Sequence, residues 1–272
     1  MPTHPLFDVS WIEEPAEAYL PSIGDIFVRF GVPTQDSGNV SYGVRVGDRR
    51  FFVKTAGDPV DPAPYLPHDE RVALLRNAAR LARRVAHPSL PTLEHVLESP
   101  CGPLLVYRWV DGDLLHSADV RRRFRDLPTA PILAALQAVY DVHARLVADG
   151  WIAVDFYDGS LIYDFAASQI HVVDVDHYQQ GPFVNEMGRM FGSERFMAPE
   201  EFTRGARIDE RTTVFGMGRT ALILLGEGTL DAAAFRGPAG LFAVAARACQ
   251  PAPTDRFTTM GDFVTAWRAA TN

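Results

Sequence analysis

Several things are scarce in this sequence. Only two cysteines occur in 272 residues, Cys101 and Cys249, far apart. No disulfide framework or cysteine-based metal site is expected from them, and reduced thiols in a cytoplasmic protein are. No apolar run approaches the roughly 20 residues that a membrane helix needs, and the first residues, MPTHPLFDVSWIEE, lack the basic start and apolar block of a secretory signal. Positive charge is also short. Twenty-six Lys and Arg stand against 34 Asp and Glu, for a net charge of −8. That balance argues against sequence-independent nucleic-acid binding, which depends on neutralising phosphates. Neither a nucleic acid nor a membrane is therefore expected as a partner, and composition leaves the oligomeric state open. Repeats and low-complexity tracts are absent too.

What remains is enough for a sizeable core in one large domain or two lobes. Residues 1–24, rich in Pro and Glu, read as a lead-in that packs loosely or not at all. From Asp25 the pattern is strand-like: DIFVRFGV, then GNVSYGVRVGD with Val40, Tyr42, Val44 and Val46 alternating, then RRFFVKTA after a Gly47-Asp48 turn. Residues 57–67 form a proline-rich loop. Val72, Leu75, Ala79, Ala82 and Val85 recur at helical spacing from His68 to about Ala86, where His87-Pro88 ends the run. LPTLEHVLES and GPLLVYRWV complete a small sheet. Past Asp111 the pattern turns helical: a basic helix over 120–127, an amphipathic one over 131–149, and further helices over 212–225, 239–249 and 260–270. Residues 179–195 read as a long loop. The class is α+β, with a sheet-rich part over 25–110 and a larger, mainly helical part over 111–272.

One stretch stands out. Residues 150–177, GWIAVDFYDGSLIYDFAASQIHVVDVDH, contain two short apolar runs that each deliver an aspartate, Asp155 and Asp174. Carboxylates just past buried strands suit metal binding or proton abstraction. They could equally be ordinary turn residues.

The order of these features resembles the protein kinase fold, eukaryotic Ser/Thr type, over residues 25–267. FFVKT resembles the strand carrying the nucleotide lysine, here Lys54. LLVYRWVDGDLL resembles the hinge, with Tyr107, Trp109 and Val110 at the adenine. IAVDFYDGS sits at the catalytic loop and HVVDVD at the metal-binding Asp-Phe-Gly. GSERFMAPEE reproduces the Ala-Pro-Glu at Ala198, Pro199 and Glu200, and PTDRFT supplies Arg256, the expected partner of Glu200. The resemblance implies a bilobal fold, with a five-stranded antiparallel sheet and one helix in the small lobe. It also implies ATP and Mg²⁺ as cofactors. Lys54 would bind phosphate oxygens, Asp174 would hold the metal and Asp155 would take or orient the acceptor's proton.

The departures are equally specific. Ala153-Val154 replaces the His-Arg before the catalytic Asp, so control by phosphorylation is not expected there. Thr213 stands where an aspartate ordinarily anchors the catalytic-loop backbone, so that anchor is expected to be lost. Tyr157 occupies a position usually cationic, and Ser160 that of the second-metal Asn, with Asp158 and Asp176 as possible substitutes or plain turn residues. The helix glutamate that pairs with the lysine falls at Ala78, with Glu70 two turns earlier. TQDSGNVSYG keeps Gly38 but not the full glycine pattern, and Ser37-Gly38-Asn39 resembles the turns of aminoglycoside and choline kinases. A loop of this kind can still offer backbone N–H groups to phosphate. The function expected is transfer of the γ-phosphate to a hydroxyl of a protein or a small molecule. The alternative is a pseudokinase that binds nucleotide without transfer.

Overall fold

Alternating apolar residues and a tight turn suffice to make the first sheet. In the computed structural model, which describes residues 4–31, 37–61 and 63–271, β1 (Asp25–Phe30), β2 (Val40–Val46), β3 (Arg49–Thr55), β4 (Leu93–Leu97) and β5 (Leu104–Arg108) form one antiparallel sheet in the order β1-β2-β3-β5-β4. Val46 pairs with Arg49, so Gly47-Asp48 is a two-residue hairpin loop, and Gly47 takes the positive φ (59°) that such turns require. Successive residues point to opposite faces. Leu104 and Val106 join Val44, Phe51 and Val53 in one cluster, while Leu105 joins Ala56 on the other side. There α2 (His68–Arg84) lays Leu75, Ala78 and Ala79 against the sheet.

The opposite face is covered by the segment expected to pack loosely. Leu6, Ile12 and Leu20 are buried in the same cluster as Phe51 and Val53, with Leu20 on α1 (Ala16–Ile23). Ser10 and Ile12 exchange backbone hydrogen bonds with Glu98, both 2.9 Å. Three apolar side chains at irregular spacing leave no period to read, yet each finds a place once the sheet exists. Residues 4–23 are thus part of the core.

These elements make one of two compact units, built from the described residues up to Ala86 together with Pro91–Val110. The other comprises His87–Leu90 and the described residues from Asp111 onward. The short segment belongs to it because the Ser89 carbonyl accepts the Val172 N–H at 2.8 Å. Its elements are β6 (Asp113–Leu114), α3 (Ala118–Arg125), α4 (Thr129–Ala148), β7 (Trp151–Ile152), β8 (Leu161–Asp164), β9 (Gln169–Val172), β10 (Gln179–Gln180), β11 (Phe183–Val184), β12 (Arg207–Ile208), α5 (Glu210–Leu225), α6 (Ala239–Ala248) and α7 (Met260–Thr271).

Helix α5 is buried along nearly all its length and touches α3, α4, α6 and α7, which explains its apolar sequence on every side. Gly218 lets α6 approach: a Cβ there would meet the Ala248 Cβ at 2.7 Å. Tyr140 of α4 packs edge-on to Phe263 and Trp267 of α7, ring centres 4.9 and 5.1 Å away. Residues 179–195 are not the featureless loop expected. β10 pairs with β7, and β11 with β12. Two-residue strands are too short to show a period. The protein is α+β, with seven α-helices among the described residues, none long and apolar enough to cross a membrane.

Candidate functional site

In the helical unit the chain leaves β7 and reaches Asp155, and leaves β9 and reaches Asp174. Both adopt left-handed backbone, φ 59° and 56°. Aspartate tolerates that region better than most residues, and the conformation still costs on the order of 1 kcal/mol. Asp174 is exposed and Asp155 partly so. His177 Nε2 lies 3.8 Å from Asp155 Oδ2, close enough to pair when protonated.

Beneath them Tyr178 is fully buried. Burial foremost, then the charges of Asp155 and Asp174, push its phenol well above the ordinary range. Its hydroxyl meets His143 Nε2 at 2.7 Å, and His143 Nδ1 meets the Val139 carbonyl at 2.7 Å. A carbonyl only accepts, so Nδ1 carries the proton, Nε2 accepts, and Tyr178 donates. Burial lowers the His143 pKa to about 4, which keeps the ring neutral. The pair forms a buried floor here, with the His143 ring packed edge-on against Phe156, next to Asp155, at 4.7 Å. Sequence reading passed over both residues. The signal was a histidine four residues after Val139 on the apolar face of α4.

Asp158 must be reassigned. Its carboxylate is buried and already taken: Oδ2 accepts from Arg121 at 2.8 Å and Arg195 at 2.9 Å, and His116 Nδ1 lies 3.3 Å from Oδ1. An aspartate so committed is a structural anchor rather than a metal ligand. Ser160 is different, because its buried Oγ has no hydrogen-bond partner among the described residues. Its carbonyl accepts the N–H of Val173, which sets it beside Asp174. Asp176 is buried. Tyr157 covers Gly159, where a Cβ would collide with the ring at 2.4 Å.

The Ala-Pro-Glu segment is fastened as its residue types require. Arg256 grips Glu200 through two parallel bonds of 2.7 and 2.8 Å, with both side chains buried. Its remaining donors reach the carbonyls of Gln250, Pro251 and Arg211, and Thr212 Oγ1 donates to Glu200. The backbone anchor expected to be lost is present in weaker form, since Thr213 Oγ1 accepts the Ala153 N–H at 3.1 Å. Thr213 thus does with a neutral oxygen what a carboxylate would do with a charged one. Glu201 accepts the Ala198 N–H at 2.6 Å. Burial foremost raises its pKa to about 8, with Glu200 and Asp155 adding to the shift. Asp155, Glu201 and Thr213 share the lining of a cavity of about 20 Å³, room for one water. Asn185 is buried and ties the 179–195 segment to this region, its Nδ2 donating to the Glu200 and Glu201 carbonyls at 3.3 Å while its Oδ1 accepts the N–H groups of Met187 and Gly188.

In the sheet unit, Lys54 is buried on β3, opposite Ser41 and Leu105. Thr34–Asp36 of the expected phosphate loop fall outside the described residues. Gly38 is described, with φ 94°, and a Cβ there would strike Pro64 at 2.3 Å. Asn39 is buried, its Oδ1 without a hydrogen-bond partner among the described residues. The organising residue is one that sequence reading missed. Arg71 of α2, 1% exposed, donates to the carbonyls of Gly38 at 2.8 Å, Ala56 and Asp58. It binds the loop before β2 to the chain leaving β3. Nothing in sequence separates it from the other arginines of α2. Ala78 is a core position, and Glu70 is exposed.

Tyr107 lies on β5, Trp109 and Val110 just beyond it, all partly buried. One expectation changes here. The Trp109 N–H is donated to the Arg50 carbonyl at 3.2 Å, because the β3–β5 pairing runs one residue further. That amide is therefore not open to a base, and Tyr107, paired with Phe52 on one side and Leu93 on the other, lies inside the same ladder; Val110 lies beyond it.

Among the described residues no three His, Cys, Asp or Glu side chains are grouped to hold a metal unaided. Magnesium bound with a nucleotide asks for less: one or two protein ligands, with phosphates and water completing the shell. Exposed Asp174 and the unpartnered Ser160 hydroxyl fit that demand; Asp158 does not. No family model matches this chain, and no curated protein does either.

Proposed function

We propose that this chain is a phosphotransferase of the protein kinase type, moving the γ-phosphate of ATP to a hydroxyl of a protein or a small molecule. The observation that carries the reading is the pair of left-handed aspartates, Asp155 and Asp174, on one buried floor. Backbone strain of this kind persists where the surrounding structure over-determines it, and it clusters at working sites. The motif order and the buried Glu200–Arg256 grip support the same reading.

In this proposal Asp155 accepts the acceptor hydroxyl's proton, or orients that hydroxyl for attack, from a loop held by Thr213. Asp174 and Ser160 would hold Mg²⁺, which supplies charge neutralisation on the phosphates. Lys54 binds phosphate oxygens as a point charge. By the same resemblance, Val110 would meet the base. Arg195, tied to Asp158, fixes the segment before Ala198 without a phosphate group, in keeping with the missing regulatory arginine.

A second reading, nucleotide binding without transfer, draws on a specific observation: Asp158 is locked by arginines, and Tyr157 supplies no cation beside Asp155. One series separates the two. ATP should raise the melting temperature more with Mg²⁺ than without, and Asp155→Ala should lower phosphate transfer about 100-fold or more while leaving that shift intact. A shift with no transfer from either protein would favour the binding module. No shift at millimolar ATP would overturn both.

A further inference from the structure

The helical unit carries a feature that the proposed chemistry does not use. A cavity of about 580 Å³ opens on α3, lined by Arg121, Arg122, Arg125 and Asp126 with Ala118 and, from the loop before α6, Arg236. Four guanidiniums against one carboxylate is an unusual lining for a chain of net charge −8. Like charges gathered in one concave place repel one another, and the arrangement is costly unless an anion completes it.

Carboxylates outside the lining reach three of the four arginines, one of them only at the solvent-exposed surface and one only at long range. Arg122 pairs with Asp119 at 2.7 Å, but both side chains are more than two-thirds exposed. Arg125 is 3.8 Å from Glu227, beyond hydrogen-bond distance. Arg236 donates one N–H to the Leu127 carbonyl, and its backbone is bonded to Leu225 at 2.7 Å, so it is held in place on the rim. Arg121 is fixed by Asp158 and by the Leu115 and His116 carbonyls. Two anchored arginines and two adaptable ones make a site that is partly preformed.

We infer that this cavity binds a small ligand bearing more than one phosphoryl group. Planar guanidinium forks match phosphate oxygens two at a time, which favours phosphate over a halide or a single carboxylate. The volume suits a small molecule. Because Arg121 also holds Asp158, three residues past Asp155, occupancy reaches the candidate catalytic segment through one side chain. The site stands whether or not the chain transfers phosphate.

The test is thermal-shift titration of the full chain with inorganic pyrophosphate, at constant ionic strength and with EDTA present to exclude Mg²⁺-dependent nucleotide sites. A saturable rise is expected at millimolar concentration. Arg122→Gln/Arg125→Gln should weaken the apparent affinity about tenfold or more, from the loss of charge-assisted bonds. Arg83→Gln on α2, with the same change per charge but in the other unit, should leave it unchanged, as should Asp174→Asn. If the double variant fails to fold, Arg122→Gln alone, altering an exposed side chain, should weaken binding several-fold. No saturable rise in the wild type would overturn the proposal. So would equal loss in Arg83→Gln, unchanged affinity in Arg122→Gln, or equal binding of citrate, which lacks phosphorus.

Discussion

At the scale of single residues, burial decides protonation, and two groups pull in opposite directions. His143 has an ordinary pKa of 6.5 and a folded one of about 4. Between these values the unfolded chain binds a proton that the folded one refuses, so stability falls as the pH drops from 6.5 toward 4, by up to on the order of 3 kcal/mol. Glu201 is the reverse. Its pKa rises from 4.5 to about 8 on folding, so the folded chain holds a proton that the unfolded one releases, and stability falls as the pH rises through that window. Denaturant melts across pH 4–9 should show both slopes. His143→Leu should flatten the acid limb, at the cost of the Tyr178 bond. Glu201→Gln, which keeps the acceptor for Ala198, should be more stable than wild type at pH 9 and nearly equal to it at pH 5. An unchanged acid limb in His143→Leu would refute the assignment of that slope to His143.

At the scale of elements, stability rests on a few polar side chains that tie loops to helices. Arg256 is the clearest. It sits before α7, fully buried, and satisfies Glu200 and three carbonyls at once. Arg256→Ala should cost about 3–5 kcal/mol in urea melts, since the Glu200 carboxylate is left buried and unpaired. A loss under about 1 kcal/mol would mean that water replaces the guanidinium at little cost. Much of this layer was legible. Ala-Pro-Glu and the later Asp-Arg-Phe named the pair, and the periodicity of α2 and α4 named their buried faces. Asn185 and Arg71 were not legible, because an asparagine in a loop and an arginine on a helix look alike whether they are buried or solvated. Asp158 stayed open between metal ligand and turn residue for the same reason: a turn aspartate shows its chemistry only once its neighbours are known, and those neighbours, Arg121 and Arg195, are 37 positions away on either side.

At the scale of the whole molecule, the chain falls into two compact units, and each has its own buried arginine. Arg71 in the sheet unit, like Arg256 in the helical one, gathers carbonyls from separate segments. Hydrogen exchange on Arg71→Met should therefore show loosened amides in β2, β3 and the first turn of α2, with those of α5 little changed. Arg256→Ala should do the converse. Equal loosening of both units by either variant would show that they unfold as one cooperative block.

Local pattern alone determined the strands of the first sheet, the helices with one apolar face and the positions of Asp155 and Asp174 at strand ends. These follow from periodicity and turn chemistry, which act between neighbours in the chain. Tertiary structure decided the rest: that residues 4–23 complete a core, that Thr213 holds the Ala153 amide, that Tyr178 and His143 floor the site, and that four arginines share one cavity. Each of those depends on which distant side chains come within a few ångströms, and on the burial that turns a polar group into an anchor or a liability.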